Sequence, residues 1–245
     1  MLSKEPNVWR ALNLANICQI INLYWKNLFI IFYNTYIMLN IVLDLDETII
    51  NTLIVDKKEL PGLLNQELCI GSFTFDNNDI FHYVVFVRPN LYDFLNYLDD
   101  NFNIYIYTNA CEDYAINAIN LISKNITYFS IKKIQARITN NVTLKTLKTL
   151  DNFGLTKSNT LIIDDRSDVW DFEYRDIILQ IDPYYAPHYV INYKSPVGIT
   201  YNKFNWNSNY DEALLEFMKM IKCVNTQFNK FTIDQILQIL NKKII

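Results

Sequence analysis

The chain has 245 residues, 51% of them hydrophobic and 15% aromatic, enough to fill one large domain or one domain with appendages. Four glycines and six prolines exclude low-complexity character, and a net charge of −4 leaves no basic footprint for nucleic acid. The four cysteines stand far apart with only two histidines beside them, which speaks against a zinc site and for reduced thiols in a cytosolic or nuclear compartment.

The N-terminus carries Leu14, Ile17, Cys18, Ile21, Trp25 and Leu28 at helical spacing, followed by an almost wholly apolar run from Phe29 to Leu39. A membrane span needs about 20 apolar residues, so this segment is expected to pack as a helix rather than cross a membrane. It also lacks the basic start and small-residue cleavage site of a signal peptide. Next comes Ile41-Val42-Leu43, a buried parallel strand running into Asp44-Leu45-Asp46-Glu47-Thr48.

Residues 49–87 hold two turn signals, Pro61-Gly62 and Asp76-Asn77-Asn78-Asp79. The flanking runs, Cys69 to Phe75 and Ile80 to Val87, predict short strands of a small β insertion. Arg88-Pro89 ends the second run. Leu91, Phe94, Leu95 and Leu98 then form the stripe of a helix whose first turn suits Pro89.

Ile104 to Tyr107 predicts a second buried strand, ending in Thr108-Asn109, and Glu112 to Ser123 a helix. A short strand is expected over Ile126 to Ile131, and a helix over Thr143 to Phe153, stopped by Gly154. Thr160 to Ile163 predicts a strand ending in Asp164-Asp165, and Ile177 to Ile181 another. Two closing helices are expected, Tyr210 to Cys223 and Ile233 to Leu240. Strands separated by helices imply an α/β fold with a doubly wound parallel sheet. No glycine-rich phosphate loop occurs, which excludes Walker-type and dinucleotide folds.

Three apolar strands thus end in polar groups: Asp44/Asp46, Thr108 and Asp164/Asp165. In a parallel sheet those ends share one edge and converge. Four carboxylates in one place repel each other unless a cation joins them, and an all-oxygen set favours Mg²⁺. With a hydroxyl and a lysine as donors for an anion, the constellation describes phosphoryl transfer.

These residues carry a resemblance. Asp44-Leu45-Asp46-Glu47-Thr48 resembles the Asp-x-Asp-x-Thr motif of the haloacid dehalogenase (HAD) superfamily. In its Asp-Leu-Asp-Glu-Thr form it is similar to the RNA polymerase II C-terminal-domain phosphatases and the NLI-interacting-factor-like family. Val87-Arg88-Pro89 with Asp93-Phe94-Leu95, the strand to Thr108 with Tyr114-Ala115, and Asp164-Asp165-Arg166-Ser167-Asp168-Val169-Trp170 extend the match. The matches run from about Leu39 to Tyr185. A weaker resemblance, in size and layout, is to phosphatase-like nucleocapsid-assembly proteins of baculoviruses and nudiviruses. The richness in Asn, Ile, Tyr and Lys fits an AT-rich genome such as a parasite's or a large DNA virus's.

The resemblance implies a HAD-like domain over 39–225 without a large cap, between the N-terminal segment 1–38 and a C-terminal helix 226–245. It implies a Mg²⁺-dependent phosphoserine or phosphothreonine phosphatase acting on a phosphorylated protein. Asp44 would be the nucleophile and Asp46 the acid and base, with Thr108 binding phosphate and Thr48 supporting the loop. The metal would draw on Asp44, Asp46 (through its carbonyl), Asp164 and Asp165, Asp164 alternatively orienting the lysine. Asn109 and Arg137 are expected to contact phosphate or substrate.

Two lysines compete. Lys148, followed by Leu150, Phe153 and Gly154, matches the family's Lys-x-Leu-x-x-Leu-Gly and is the expected catalytic lysine; Lys145 is expected to lie on a helix surface. Lys124, Lys132, Lys133, Arg137, Lys145, Lys148 and Lys157 share a stretch whose only acid is Asp151, either a solvated face or a docking surface for an acidic chain. Arg88 is expected to be structural, and Trp170 and Tyr184 core residues. The other function classes weighed are a non-catalytic scaffold in a translocase or viral assembly and a nucleic-acid 3′-phosphatase. Neither a membrane nor a nucleic acid is the expected partner.

Overall fold

The computed structural model describes residues 38–75, 81–127, 129–137, 144–186, 211–227 and 233. The chain divides into two units, Met1–Met38 and Leu39–Ile245, and every described strand and helix belongs to the second. The expected N-terminal helix, the turn at Asp76 to Asp79 and nearly all of the last expected helix lie outside the described residues.

β1 (Leu39–Leu43) is buried along its whole length, as its unbroken apolar run requires of a central parallel strand. β2 (Ile50–Asp56), a short helix α1 (Leu60–Leu64), β3 (Cys69–Phe73) and β4 (Phe81–Val87) follow. They form the β insertion, a three-stranded antiparallel sheet in the order β2-β4-β3. β3 and β4 occupy the two predicted runs. β2 is an addition to them, its INTLIVD alternating polar and apolar residues only in part.

Helix α2 (Leu91–Asn101) buries Leu91, Phe94, Leu95 and Leu98, the predicted stripe. Each such side chain contributes roughly 1.5–3 kcal/mol. Its cap is Asn90 in the left-handed conformation, so Pro89 precedes the helix instead of sitting in its first turn. β5 (Phe102–Cys111) and α3 (Glu112–Ser123) come next. β6 is Ile131–Arg137, beginning at the residue where the predicted strand ends.

The helix expected from Thr143 is shorter and tighter, a 3₁₀ helix over Leu147–Phe153 with Thr146 as its cap and Gly154 at φ 72° closing it. β7 (Thr160–Asp164) and β8 (Ile178–Gln180) complete the main sheet, and α4 (Ala213–Gln227) packs against α2. No helix among the described residues is long and apolar enough to cross a membrane.

The main sheet is parallel, in the order β6-β5-β1-β7-β8. The chain winds outward from β1 through β5 and β6, then returns to its other side with β7 and β8. The order therefore reverses beside β1, and the carboxyl ends of β1, β5 and β7 open on one crevice. This is the doubly wound α/β architecture expected, with a small insertion and, among the described residues, no large cap.

Arg88 ties the insertion to this crevice. Its side chain, 2% exposed, donates from Nε to Asp211 at 2.9 Å and from Nη1 to the Thr48 carbonyl at 3.0 Å. Asp211 in turn accepts the Ala213 N–H at the start of α4. Removing one partner of a buried pair strands the other charge, at a cost of about 3–5 kcal/mol. Arg88→Met is therefore expected to lower the unfolding free energy by about that much in a urea titration; a loss below about 1 kcal/mol would show that the pair holds nothing in place.

Candidate active site

Asp44 and Asp46 leave β1 in a tight turn. Ile49 and Ile50 both donate to the Leu45 carbonyl, and Glu47 adopts φ 62°, a costly conformation for a residue with a side chain. Backbone bonds to Ile50 and Tyr184 on either side of Glu47 hold it there. The turn, the end of β5 and the loop after β7 enclose a polar cavity of about 220 Å³. Asp44, Asp46, Glu47, Asp164 and Asp165 line it with Thr108, Asn109, Ala110, Lys145, Arg166 and Val169. The structure thus gathers Asp44, Asp46, Thr108, Asn109, Asp164 and Asp165 as expected.

It does not bring Lys148. That residue is 64% exposed and pairs with Glu173 at 2.7 Å, on the solvent side of the 3₁₀ helix. Lys145 stands in the cavity instead, 2% exposed, with Nζ 2.6 Å from Asp44 Oδ1 and 2.7 Å from Asp164 Oδ2. The cause is local. The chain at Lys145 is extended, its N–H donating to Val169 and its carbonyl accepting from Asp171, so the side chain is held toward the cavity before the helix begins. The helix then buries Leu147 and Leu150. These leucines follow Lys145 at the offsets sought, whereas Lys148 is followed by Leu150 and the exposed Phe153. The better apolar pair is the signal in the sequence that favours Lys145.

Lys145 also lies over the rings of Trp170, at 5.6 Å, and Tyr107, at 5.9 Å. Burial alone would lower its pKa, but the charges of Asp44 and Asp164 outweigh that and raise it. It remains an ammonium.

Asp164 meets three nitrogen donors. Its Oδ2 accepts from Lys145 and from the Trp170 indole N–H at 2.8 Å, and its Oδ1 accepts the Arg166 N–H at 2.8 Å. Trp170 is thus a core residue, as expected, but also one that orients the site. The Thr48 hydroxyl lies 3.4 Å from Asp44 Oδ2 and 3.3 Å from Asp165 Oδ1, and accepts the Asp165 N–H at 3.0 Å. Thr48 therefore supports the loop by joining two carboxylates. Thr108 Oγ1 accepts the Ala110 N–H at 3.0 Å, which leaves its own hydrogen to donate into the cavity. Arg137 is exposed at the end of β6, in register with Cys111, and is not among the cavity-lining residues.

The residues present fit a divalent cation. Five carboxylates line the cavity against Lys145 and Arg166, and Arg166 is itself tied to Asp168 at 2.6 Å. Carboxylate oxygens of Asp44, Asp164 and Asp165 lie within 4.8 Å of one another. Asp164 already accepts from three nitrogen donors, whereas Asp44 accepts from Lys145 and meets the Thr48 hydroxyl, and Asp165 meets only that hydroxyl through its side chain among the hydrogen bonds described. The Asp46 carboxylate accepts from the Tyr114 hydroxyl, which leaves its backbone carbonyl as a further candidate.

Burial pushes the Asp44 carboxyl up to about 8, with Lys145 opposing and Asp164 adding to the rise. Burial raises Asp46 to about 6 against the Tyr114 hydrogen bond, and Asp165 to about 6 with help from Asp164. Groups raised in this way bind protons more tightly folded than unfolded. Their contribution to stability is complete below the unfolded value and is lost as pH rises through about 6 to 8. A cation that replaces those protons binds better as pH rises. Mg²⁺ is expected to raise the melting temperature at about pH 8 and have little effect at about pH 5, and Asp165→Asn to remove the effect; equal shifts at both pH values would refute this site.

A family model described as NLI interacting factor-like phosphatase matches residues 39–190. The RNA polymerase II C-terminal domain phosphatase of Encephalitozoon cuniculi is 29% identical over 182 residues, which cover 74% of this chain and 40% of that protein. The protein of the same name in Schizosaccharomyces pombe is 26% identical over 155 residues, covering 60% of this chain and 21% of its own. The chain spans less than half the length of these curated relatives. The structure of Fcp1, an essential RNA polymerase II CTD phosphatase, superimposes with a TM-score of 0.60 at 19% identity, over 85% of this chain and 67% of that one. A fission yeast RNA polymerase II CTD phosphatase bound to beryllium fluoride gives 0.51 at 18%, over 90% and 65%. At these identities the structural likeness concerns the fold.

Proposed function

Because the chain belongs to the NLI interacting factor-like phosphatase family, we propose that it is a Mg²⁺-dependent phosphatase of phosphoserine and phosphothreonine in proteins, working through an aspartyl-phosphate. The observation that carries this reading is the Lys145 ammonium held between Asp44 and Asp164 at the carboxyl end of β1, with Thr108 and Asp46 in the same cavity.

A carboxylate oxygen of Asp44 attacks phosphorus, and the bond from phosphorus to the serine or threonine oxygen breaks. Asp46 gives its proton to that departing oxygen. In the second displacement Asp46 takes a proton from water as the water oxygen bonds to phosphorus and the bond to Asp44 breaks. Lys145 and the Thr108 hydroxyl donate to the phosphoryl oxygens, where negative charge must be held in the transition state. Mg²⁺ at Asp44, Asp165 and the Asp46 carbonyl would supply further charge neutralisation. Burial that lifts Asp46 to about 6 suits a group that must both give and take a proton near neutrality.

A site with no large cap over it among the described residues favours a substrate on an extended protein chain over a small metabolite. The names of the relatives make a phosphorylated polymerase tail the first substrate to try. Aryl phosphate hydrolysis with Mg²⁺ tests the chemistry. Turnover is expected in the wild type and a loss of at least about 100-fold in Asp44→Asn and in Lys145→Met, with Lys148→Met within about 2-fold of wild type. Mg²⁺-replete, folded protein that hydrolyses no phosphate ester would overturn the proposal. Full activity in Lys145→Met would overturn the assignment of the lysine.

A further inference from the structure

Tyr114 belongs to the motifs that point to phosphoryl transfer, yet the proposed reaction leaves it without a role. It stands in the first turn of α3, buried, with its ring against Phe73 (5.6 Å between centroids) and Tyr83 (6.2 Å) of the insertion. Phenylalanine would serve that packing as well. A phenol hydroxyl buried among aromatic rings costs free energy unless it is satisfied. Here it is satisfied twice. It donates to Asp46 Oδ1, and it lies 2.6 Å from Thr52 Oγ1 on β2. The motif turn, the insertion and α3 therefore meet at one oxygen.

We propose that Tyr114, steadied by Thr52, is a positioning residue that fixes the Asp46 carboxyl group for proton transfer; the inference rests on the phosphatase reading. With Oδ1 taken by the phenol, the transferable proton resides on Oδ2, and the carboxyl plane cannot turn away from the departing oxygen. As the bond from Asp44 to phosphorus forms and the ester bond breaks, the Oδ2 proton passes to the ester oxygen. Asp46 is left as a carboxylate, and its hydrogen bond from Tyr114 strengthens as that charge develops. The same bond holds the carboxylate while it takes the proton of the attacking water. Thr52 matters because a phenol able to swing would not hold the acid. The insertion thus reaches the chemistry through β2, and none of its described residues lines the cavity.

A structural and a positioning role separate by leaving group. Proton donation matters most for an alkoxide, which departs badly without it, and least for a stable phenolate. Tyr114→Phe keeps the ring and removes one oxygen. Its kcat/KM is expected to fall about 10- to 100-fold on a phosphoserine peptide and less than about 3-fold on dinitrophenyl phosphate, both measured well below the variant's melting temperature. Thr52→Val is expected to shift the same ratio in the same direction. Added to Asp46→Asn, Tyr114→Phe should cost nothing more, since its route to the reaction is already gone. Equal losses on both esters, no loss on either, or a further loss in the Asp46→Asn background would each overturn the role of Tyr114. A wild type that turns over neither ester would overturn the phosphatase reading and this inference with it.

Discussion

Everything at the sheet edge depends on one ammonium, Lys145 Nζ, set 2.6 Å from Asp44 and 2.7 Å from Asp164. Ionisable groups withdrawn from water are a poor way to stabilise a fold, because desolvation offsets most of the Coulomb gain. The arrangement is understandable as a site. Without Lys145, the carboxyl groups of Asp44 and Asp164 would face each other across a buried gap with no ammonium between them. With it, Asp44 has a fixed positive neighbour that can also serve a phosphoryl oxygen. The supports of Lys145 serve this geometry as well: aromatic faces of Tyr107 and Trp170 on its flanks, and backbone bonds to Val169 and from Asp171 that fix where its side chain starts.

Around this centre lies a second set of groups that touch the motif without entering the cavity. Arg88 donates to the Thr48 carbonyl, Tyr184 donates from its hydroxyl to the Val87 carbonyl, and the Tyr184 N–H holds Glu47. Together they impose on Glu47 a backbone conformation that a residue with a Cβ resists. The turn after β1 can therefore be tight enough to present Asp44 and Asp46 to the same cavity although the two are no longer on an extended strand. The Arg-Pro motif of this phosphatase family is structural here, as expected of Arg88.

Burial is easier to read from the sequence than direction. Runs such as Ile41-Val42-Leu43 and Leu161-Ile162-Ile163 announce central parallel strands, because only burial on both faces explains them, and the acids that follow must then share an edge. Trp170 is equally plain as a buried aromatic, and Tyr114 as a motif residue. Nothing in a one-dimensional pattern says that the indole N–H meets Asp164 or that the phenol meets Asp46. Lys145 is hidden for a different reason. A helix running from Thr143 makes Lys145 and Lys148 near equivalents; the leucine pair after Lys145 hints at the difference, and the extended stretch before Leu147 decides it. β2 is hidden because its pairing with β4 is tertiary, and INTLIVD alone favours no structure strongly.

The two acids of the motif show how partners, and not residue type, divide labour. Asp44 and Asp46 are two residues apart in one buried turn, and burial raises both. Asp44 lies beside a fixed cation, and its second oxygen meets the Thr48 hydroxyl that also meets Asp165. Its upward push comes from burial and from neighbouring carboxylates, so a cation added there would favour the charged form that a nucleophile requires. The Asp46 carboxyl is held by a neutral hydroxyl donor, and among the described residues no cation pairs with it at contact distance. It is kept in place without being forced to ionise. A turn that gives one acid charged neighbours and the other a phenol has already separated the nucleophile from the acid, before any substrate arrives.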